Sequence, residues 1–302
     1  MVQSILEIQA LRKSFKEKIL QEGVVLPGAF NALTAKQIQE VGFEGLYISG
    51  AALSAGVGLP DIGLLSLQEF SFFIQYITQA VGLPCIADAD TGFGGISNVI
   101  RTVQEFERIG LAGMHIEDQV MPKRCGHLEG KTLVSTDEMC QKIQAACMGR
   151  QDDNFLIIAR TDARGVEGVN EAMARAQAYV KAGADAIFPE ALKTVEEFEQ
   201  FAKRIDVPLL ANMTEFGVSP LLTTEQLFRL GYKMVIFPVT GLRVAMKRTE
   251  ELYNELKKKG TQEAFVPMMQ TRQELYDLIA YEKYASLDKM VSNYKHDKDE
   301  SK

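Results

Sequence analysis

The segment FERIGLAGMHIED, residues 106–118, decides the reading of this chain. It opens with the end of an amphipathic run closed by Gly110 and continues as a short apolar run ending on two carboxylates, Glu117 and Asp118. A glycine just past a helix end takes the left-handed conformation that closes the last turn. An apolar run of about five residues then suits a strand buried on both faces. The phrase recurs as QIQEVGFEGLYIS (37–49), YITQAVGLPCIAD (76–88), AYVKAGADAIFPE (178–190) and QLFRLGYKMVIFP (226–238). Helix starts recur too. Ser66 with Glu69, Ser135 with Glu138, Thr194 with Glu197 and Thr223 with Gln226 have capping-box spacing, in which each side chain satisfies an orphan amide of the other residue.

Working outward, strands are predicted over 24–27, 45–49, 83–88, 113–117, 155–160, 185–189, 208–212 and 233–237. Eight strands alternating with helices predict an α/β fold, a (β/α)8 barrel; an open doubly wound sheet is the rival that periodicity leaves standing. An amphipathic helix over about residues 3–20 is expected to cap the barrel, and a helical segment is expected after Thr271, followed by a solvated tail, KHDKDESK (295–302). Residues 1–302 are read as one domain, with an N-terminal helix over 1–22, the barrel over 23–260 and a C-terminal helical segment and tail over 261–302.

The 302 residues carry 33 Lys+Arg against 40 Asp+Glu, a net charge of −7 dispersed along the chain, which excludes the basic face of a nucleic-acid binder. No run of about 18 apolar residues is present, so no membrane span is expected. Charges recurring through the first twenty residues leave no apolar core for a signal peptide. The four cysteines, Cys85, Cys125, Cys140 and Cys147, are too few for a disulfide framework and are expected as reduced thiols in the cytoplasm.

A barrel places its site at the C-terminal ends of its strands. Polar residues fall there: Ser49, Asp88 and Asp90, Glu117 and Asp118, Arg160 and Asp162, Glu190, and Asn212 with Thr214. Carboxylates converging in low dielectric repel unless a cation neutralises them, and oxygen donors select a hard one, Mg2+ or Mn2+. Any one of these acids alone could equally be a helix N-cap. In ADADTGFGG (87–95), Asp88 and Asp90 are two apart and point the same way from extended backbone, with glycines behind them that let a ligand approach. The segment is not GxGxxG, and GHLEGKT (126–132) is one residue short of a Walker A loop.

In KRCGH (123–127), Cys125 is flanked by Lys123, Arg124 and His127, neighbours that favour thiolate and mark it as an acid, base or nucleophile. Cys85, Cys140, Cys147 and His115 read as core residues, and without a CxxC no zinc site is expected. Arg160, Arg243 and Arg272 offer forks that grip carboxylates, so a metal with several arginines suits a small di- or tricarboxylate. A surface ion pair is the alternative for Arg243 and Arg272.

Taken together, KRCGH, ADADTGFGG, HIEDQ (115–119), IIARTDA (157–163), FPEA (188–191) and LANMTEFG (210–217) resemble the isocitrate lyase and phosphoenolpyruvate mutase superfamily, over about residues 20–290. The resemblance implies a barrel whose eighth helix is exchanged between subunits of a homotetramer. It is greatest to the branch that cleaves 2-methylisocitrate to pyruvate and succinate with Mg2+, a step of propionate catabolism by the methylcitrate cycle. On that resemblance Asp88 and Asp90 are metal-site aspartates, with Asp61 (in GLPDIG) and Glu117 around them. Ser49, Gly50 and Ala51 match the substrate-carboxylate loop, reading SGA where many relatives have SGG. Cys125, Gly126, Arg160, Glu190, Asn212, Met213, Thr214, Arg243 and Arg272 match substrate contacts, and Lys123 and His127 the polar neighbours of the catalytic Cys125. Cys125 would then protonate the departing succinate carbanion. The base that takes the hydroxyl proton is unassigned; Tyr47 is one option and a buried strand tyrosine the other reading of it. Isocitrate lyases share the cysteine motif but are longer, and phosphoenolpyruvate mutases lack it. A non-catalytic carboxylate sensor would have no need of a proton donor.

Overall fold

The computed structural model describes residues 4–292, so the predicted tail over 295–302 lies outside the described residues. The chain divides into two compact units, Met1–Ala245 and Met246–Lys302, the boundary falling inside the helix Thr240–Lys259.

In the first unit all eight predicted strands form: β1 (Val24–Pro27), β2 (Leu46–Ile48), β3 (Cys85–Asp88), β4 (Gly113–Glu117), β5 (Leu156–Thr161), β6 (Ala186–Pro189), β7 (Leu210–Asn212) and β8 (Met234–Phe237). Every pairing is parallel, in two ladders ordered β2-β3-β4-β5-β6 and β1-β8-β7. Two parallel bridges, Gly28 to Tyr47 and Ile187 to Leu209, join the ladders. There the Ala29 amide donates to the Tyr47 carbonyl at 2.8 Å and the Ile187 amide to that of Pro208 at 3.0 Å. The sheet therefore closes on itself, which excludes the open-sheet rival. Ten helices follow in chain order: α1 (Ile5–Gln21), α2 (Ala32–Val41), α3 (Gly50–Gly56), α4 (Leu67–Ala80), α5 (Ile96–Arg108), α6 (Thr136–Gly149), α7 (Val169–Ala182), α8 (Val195–Arg204), α9 (Thr224–Leu230) and α10 (Thr240–Lys259).

The helix signals hold in part. Gly42, Gly183 and Gly231 close their helices in the left-handed conformation and Gly110 follows α5 at φ +92°, but α4 ends on extended Val81 instead of on Gly82. Of the four expected capping boxes, those at Ser66 and Thr223 form in full. At Ser135 and Thr194 only the hydroxyl half is seen. Glu197 has a better use for its carboxylate, which takes the Arg164 fork and the Lys193 amide.

The strands β2 to β6 are buried throughout and β1, β7 and β8 in part, and their residues alternate between two cores. Leu26, Tyr47, Ile86, Ile158, Phe188, Leu210 and Ile236 pack inside the barrel. Ala87, Met114, Ile116, Ile157 and Ile187 face the helices. Phe15 and Ile19 of α1 join the inner core, so α1 plugs the N-terminal mouth as expected. Buried Arg12 pins it there, donating to the Leu111 carbonyl at 2.7 Å, the Glu107 carbonyl at 2.5 Å and Asp152 at 3.3 Å, beside the starts of β4 and β5.

The second unit continues as α11 (Arg272–Leu278) and α12 (Tyr281–Ser292), the helical segment expected after Thr271. Thr271 and Glu274 form a full capping box, and the Tyr276 and Tyr281 rings stack at 4.5 Å. No residue of α10, α11 or α12 is buried.

Candidate active site

Continuing the inward-facing row one step along β2 to β7 leads from core to chemistry: from Tyr47 to Ser49, Ile86 to Asp88, His115 to Glu117, Ile158 to Arg160, Phe188 to Glu190 and Leu210 to Asn212. The period of two that fills the barrel with hydrocarbon thus aims the next side chains at one volume. The backbone beyond is unusual. Four of the five non-glycine residues with positive φ among those described lie in these loops: Asp90 (+44°), Phe93 (+58°), Ala191 (+60°) and Phe216 (+60°). Such conformations cost of order 1–3 kcal/mol each and persist where surrounding structure over-determines them.

Arg160 is the centre of the site. Its guanidinium contacts Asp162 through two nitrogens at 3.1 and 3.2 Å and stands 3.4 Å from both Glu117 and Glu190, over the Phe188 ring. Burial works against its charge, but Asp162, Glu117, Glu190 and Asp88 outweigh it and hold the guanidinium well above its ordinary pKa. Glu190 is correspondingly held below the usual carboxylate range: burial pushes it up, and Arg160, His127 and Asn212 more than compensate. It faces His127 Nε2 at 3.1 Å and accepts from Asn212 Nδ2 at 3.1 Å and the Ala191 amide at 2.8 Å.

A second cluster surrounds Lys123, whose ammonium lies 2.5 Å from Asp61 and 2.7 Å from Asp90. Burial opposes that charge too, but Glu117, Asp88, Asp90 and Asp61 raise it well above the ordinary lysine value. Lys123 therefore directs its charge to the carboxylates, and the flanking role expected of it beside Cys125 is not its only one. Burial and neighbouring Asp88 push Asp90 up to about 6, against the pull of Lys123. Glu117 is completely buried, is raised well above its ordinary value by burial, and has no hydrogen-bond partner on either oxygen. Among the described residues no three His, Cys, Asp or Glu side chains are spaced to hold an ion unaided. The orphaned Glu117 oxygens, beside Asp61, Asp88 and Asp90, are nonetheless the donor chemistry a hard divalent cation takes.

The floor departs from expectation. His115 is not merely a satisfied core residue. Its Nε2 lies 2.7 Å from the Tyr47 hydroxyl, its ring stacks on that of Tyr47, and its Nδ1 stands 3.7 Å from Asp88 without a hydrogen bond. Burial pulls this imidazole down to about 4, and burial with nearby Asp88 keeps the Tyr47 phenol neutral.

Twelve of the expected site residues line one cavity of about 100 Å3: Ser49, Ala51, Asp61, Asp88, Cys125, Gly126, His127, Arg160, Glu190, Asn212, Thr214 and Arg243. Gly50 adjoins it through its amide, 3.3 Å from Asp88 Oδ2. Asp90, Glu117 and Lys123 stand behind the wall. Met213 points the other way: it belongs to the core between strands and helices, and its sulfur accepts the Leu222 amide. Arg243 lines the cavity and also lies 3.5 Å from Glu215, over the Phe216 ring. Arg272 opens α11 in the second unit, exposed. Cys125 is exposed and Gly126 buried, and an ideal Cβ on Gly126 would lie 2.4 Å from Glu190 Cγ, 2.5 Å from Arg160 Nη2 and 2.8 Å from Asp162 Oδ1. Only glycine lets the cysteine turn sit on the ion network.

A closed barrel with carboxylates, a permanently charged arginine and an exposed thiol at its strand ends defines a (β/α)8 enzyme for small carboxylate substrates. The chain belongs to the phosphoenolpyruvate phosphomutase family, whose model matches residues 15–257. It is 54% identical over 269 residues to a 2-methylisocitrate lyase of Aeropyrum pernix, covering 89% of this chain and 87% of that one. Among solved structures, a 2,3-dimethylmalate lyase superposes with a TM-score of 0.88 at 34% identity, covering 97% of each chain. A phosphonopyruvate hydrolase in complex with oxalate and Mg++ superposes with a TM-score of 0.83 at 31% identity, covering 96% of this chain and 99% of that one.

Proposed function

We propose that this chain is a carbon–carbon lyase that cleaves 2-methylisocitrate to pyruvate and succinate. The observation that carries the reading is the seat of the Cys125–Gly126 turn on Arg160 and Glu190, which sets a thiol and a carboxylate-binding cation at one cavity wall. The likeness to relatives named 2-methylisocitrate lyase, at 43–54% identity, supports it.

In the reaction the substrate hydroxyl loses its proton and becomes the carbonyl of pyruvate as the adjacent carbon–carbon bond breaks. The electron pair of that bond passes to the succinate fragment and spreads into its carboxylate. Cys125 returns a proton to that carbon. Ser49, the Gly50 and Ala51 amides, Arg160, Asn212, Thr214 and Arg243 orient the carboxylates, and donors fixed where charge develops are usually the largest catalytic contribution. Asp61, Asp88, Asp90 and Glu117 would hold Mg2+, with Mn2+ as the alternative, which when bound supplies positive charge to the oxygens that become pyruvate. His127 holds Glu190 against Arg160. Tyr47, whose phenol burial and Asp88 hold neutral, shares a hydrogen bond with His115 Nε2 and is not poised to take the hydroxyl proton.

The active form is a homotetramer that exchanges α10. As the eighth barrel helix it should bury one face, yet Val244, Met246 and Tyr253 stand exposed along it. The mass in solution tests this against a single chain of 33.5 kDa. Among the described residues no helix is long and apolar enough to cross a membrane, and all four cysteines are free, which supports work in the cytoplasm.

The test couples pyruvate release to NADH oxidation by lactate dehydrogenase. Turnover of 2-methylisocitrate is expected with Mg2+, is lost on adding EDTA or in Cys125→Ala, and exceeds that of isocitrate by about 10–200-fold, the discrimination one methyl group supports. Absent pyruvate alongside brisk glyoxylate release from isocitrate would overturn the assignment.

A further inference from the structure

Cys125 is exposed on a loop that leaves the barrel after β4 and returns before α6. An exposed thiol on a long loop samples many positions, whereas proton transfer to carbon needs it about 3–3.5 Å from the reacting atom. Two buried side chains at the neck of this loop solve that problem. The neck is pinned by the antiparallel bridge between Gln119 and Leu133 and by the Val120 amide donating to the Thr132 carbonyl at 2.8 Å. From one side Gln119, 1% exposed, reaches along the loop to Arg124. Its Nε2 donates to the Arg124 carbonyl at 2.8 Å and its Oε1 accepts the Arg124 amide at 2.9 Å. From the other side Lys131, 8% exposed, turns its ammonium inward, donating to the Gly126 carbonyl and lying 3.4 Å from Asp162 Oδ1.

The anchor is itself anchored. Asp118 Oδ1 accepts the Asp162 amide at 2.8 Å, while its Oδ2 accepts from Thr161 and Tyr179 at 2.7 and 2.8 Å. Asp162 in turn grips Arg160. One network therefore fixes the residue before the thiol, the residue after it and the arginine beneath it. Neither the Gln119 amide nor the Lys131 ammonium lines the cavity, and both heads are taken up by main-chain groups of their own loop.

We propose that Gln119 and Lys131 are positioning residues that hold the main chain on either side of Cys125 and thereby set its thiol against the reacting carbon. This rests on the lyase reading above for its kinetic arm, but not for its chemical one. The experiment pairs lyase kinetics with alkylation of Cys125 by iodoacetamide in the free enzyme, read by peptide mass mapping so that Cys85, Cys140 and Cys147 are separated. Lys131→Met and Gln119→Leu should each lower kcat by about 10- to 100-fold, the scale of an ångström of misplacement, with KM moved far less. Each should also raise the Cys125 alkylation rate several-fold. Lys131→Arg, which keeps charge and donor, should recover most of both. Gln119→Glu, isosteric but unable to donate to the Arg124 carbonyl, should fall between Gln119→Leu and the parent chain, and serves if the apolar variants do not fold. A parent-like kcat in the folded apolar variants overturns the proposal. So does a lowered kcat with Cys125 alkylation unchanged, or Lys131→Arg as impaired as Lys131→Met. If the parent chain does not cleave 2-methylisocitrate, the lyase reading fails while the alkylation rates still decide the role of the two pins.

Discussion

Gly126→Ala puts the seat of the cysteine turn under direct load. The added Cβ would lie 2.4 Å from Glu190 Cγ, 2.5 Å from Arg160 Nη2 and 2.8 Å from Asp162 Oδ1. Ordinary contact needs about 3.5–4.0 Å, so each approach is short by roughly 1 Å. The three neighbours cannot yield independently, because Arg160 is tied to Asp162 at 3.1 and 3.2 Å and lies 3.4 Å from Glu190. The turn must lift instead, by about the missing 1 Å. A misplacement of that size costs of order 10²-fold in rate, or about 2.7 kcal/mol of transition-state stabilisation. Because Cys125 is exposed, the lift relieves most of the overlap, so the stability cost should lie near the low end of the 1–3 kcal/mol typical of overpacking, a shift of about 2–4 °C in Tm. Gly42→Ala is the control. It has left-handed backbone at φ +95° with nothing within 4 Å of the new methyl, so it should cost stability alone. Pyruvate release and thermal unfolding are measured on all three proteins. A folded Gly126→Ala chain with kcat/KM within threefold of the parent would refute the seat.

Arg12→Met strips two carbonyls and Asp152 of their buried donor at the N-terminal mouth. Breaking a buried pair this way costs about 3–5 kcal/mol, so Tm should fall steeply while kcat at low temperature stays near parental, and an unchanged Tm would refute the plug. His115 gives a pH signature. Burial lowers its folded pKa to about 4 from an ordinary 6.5, so the unfolded chain binds the proton first. Its stability contribution is present above pH 6.5 and lost as pH falls toward 4, by about 3 kcal/mol. Urea unfolding of the chelated protein should therefore lose less stability between pH 7 and 4.5 in His115→Gln than in the parent, and equal losses would remove His115 as the cause. Finally, Glu117→Gln leaves the barrel folded but removes an anionic donor, so the Mg2+ concentration giving half-maximal activity should rise by about tenfold; an unchanged requirement would place the cation elsewhere.

The strand plan was legible because it rests on local, repeated chemistry. Each buried strand is short, apolar and preceded by a helix end, and in four of the five quoted phrases the glycine takes a left-handed conformation there. YITQAVG misleads because sequence cannot distinguish a glycine that must adopt positive φ from one that follows an already extended residue, as Gly82 follows Val81. The half-formed boxes have a similar cause. Whether Glu197 returns to its cap or takes Arg164 depends on a residue 33 positions away. Local pattern sets what a side chain can do, and tertiary neighbours decide which option wins.

The site divides along the same line. Residues at strand ends could be found because position alone delivers them to the barrel mouth, and period two sorts Asn212 inward and Met213 outward once the strand's register is known. What position cannot convey is who partners whom. Lys123 read as a neighbour of Cys125 because it is two residues away, yet its charge answers Asp61 and Asp90, which lie far off in sequence. His115 read as core because imidazoles within strands usually are, yet counting back in twos from Glu117 places it on the inward row, the same row as Tyr47 two before Ser49. That count was available from the sequence and would have set both rings on the inward row, where Tyr47 lines the cavity and His115 lies buried beside it. Gln119 and Lys131 carry no such signal. Their polar heads turn back onto the main chain of their own loop, a contact that exists only once the loop is closed at its neck and seated on Arg160.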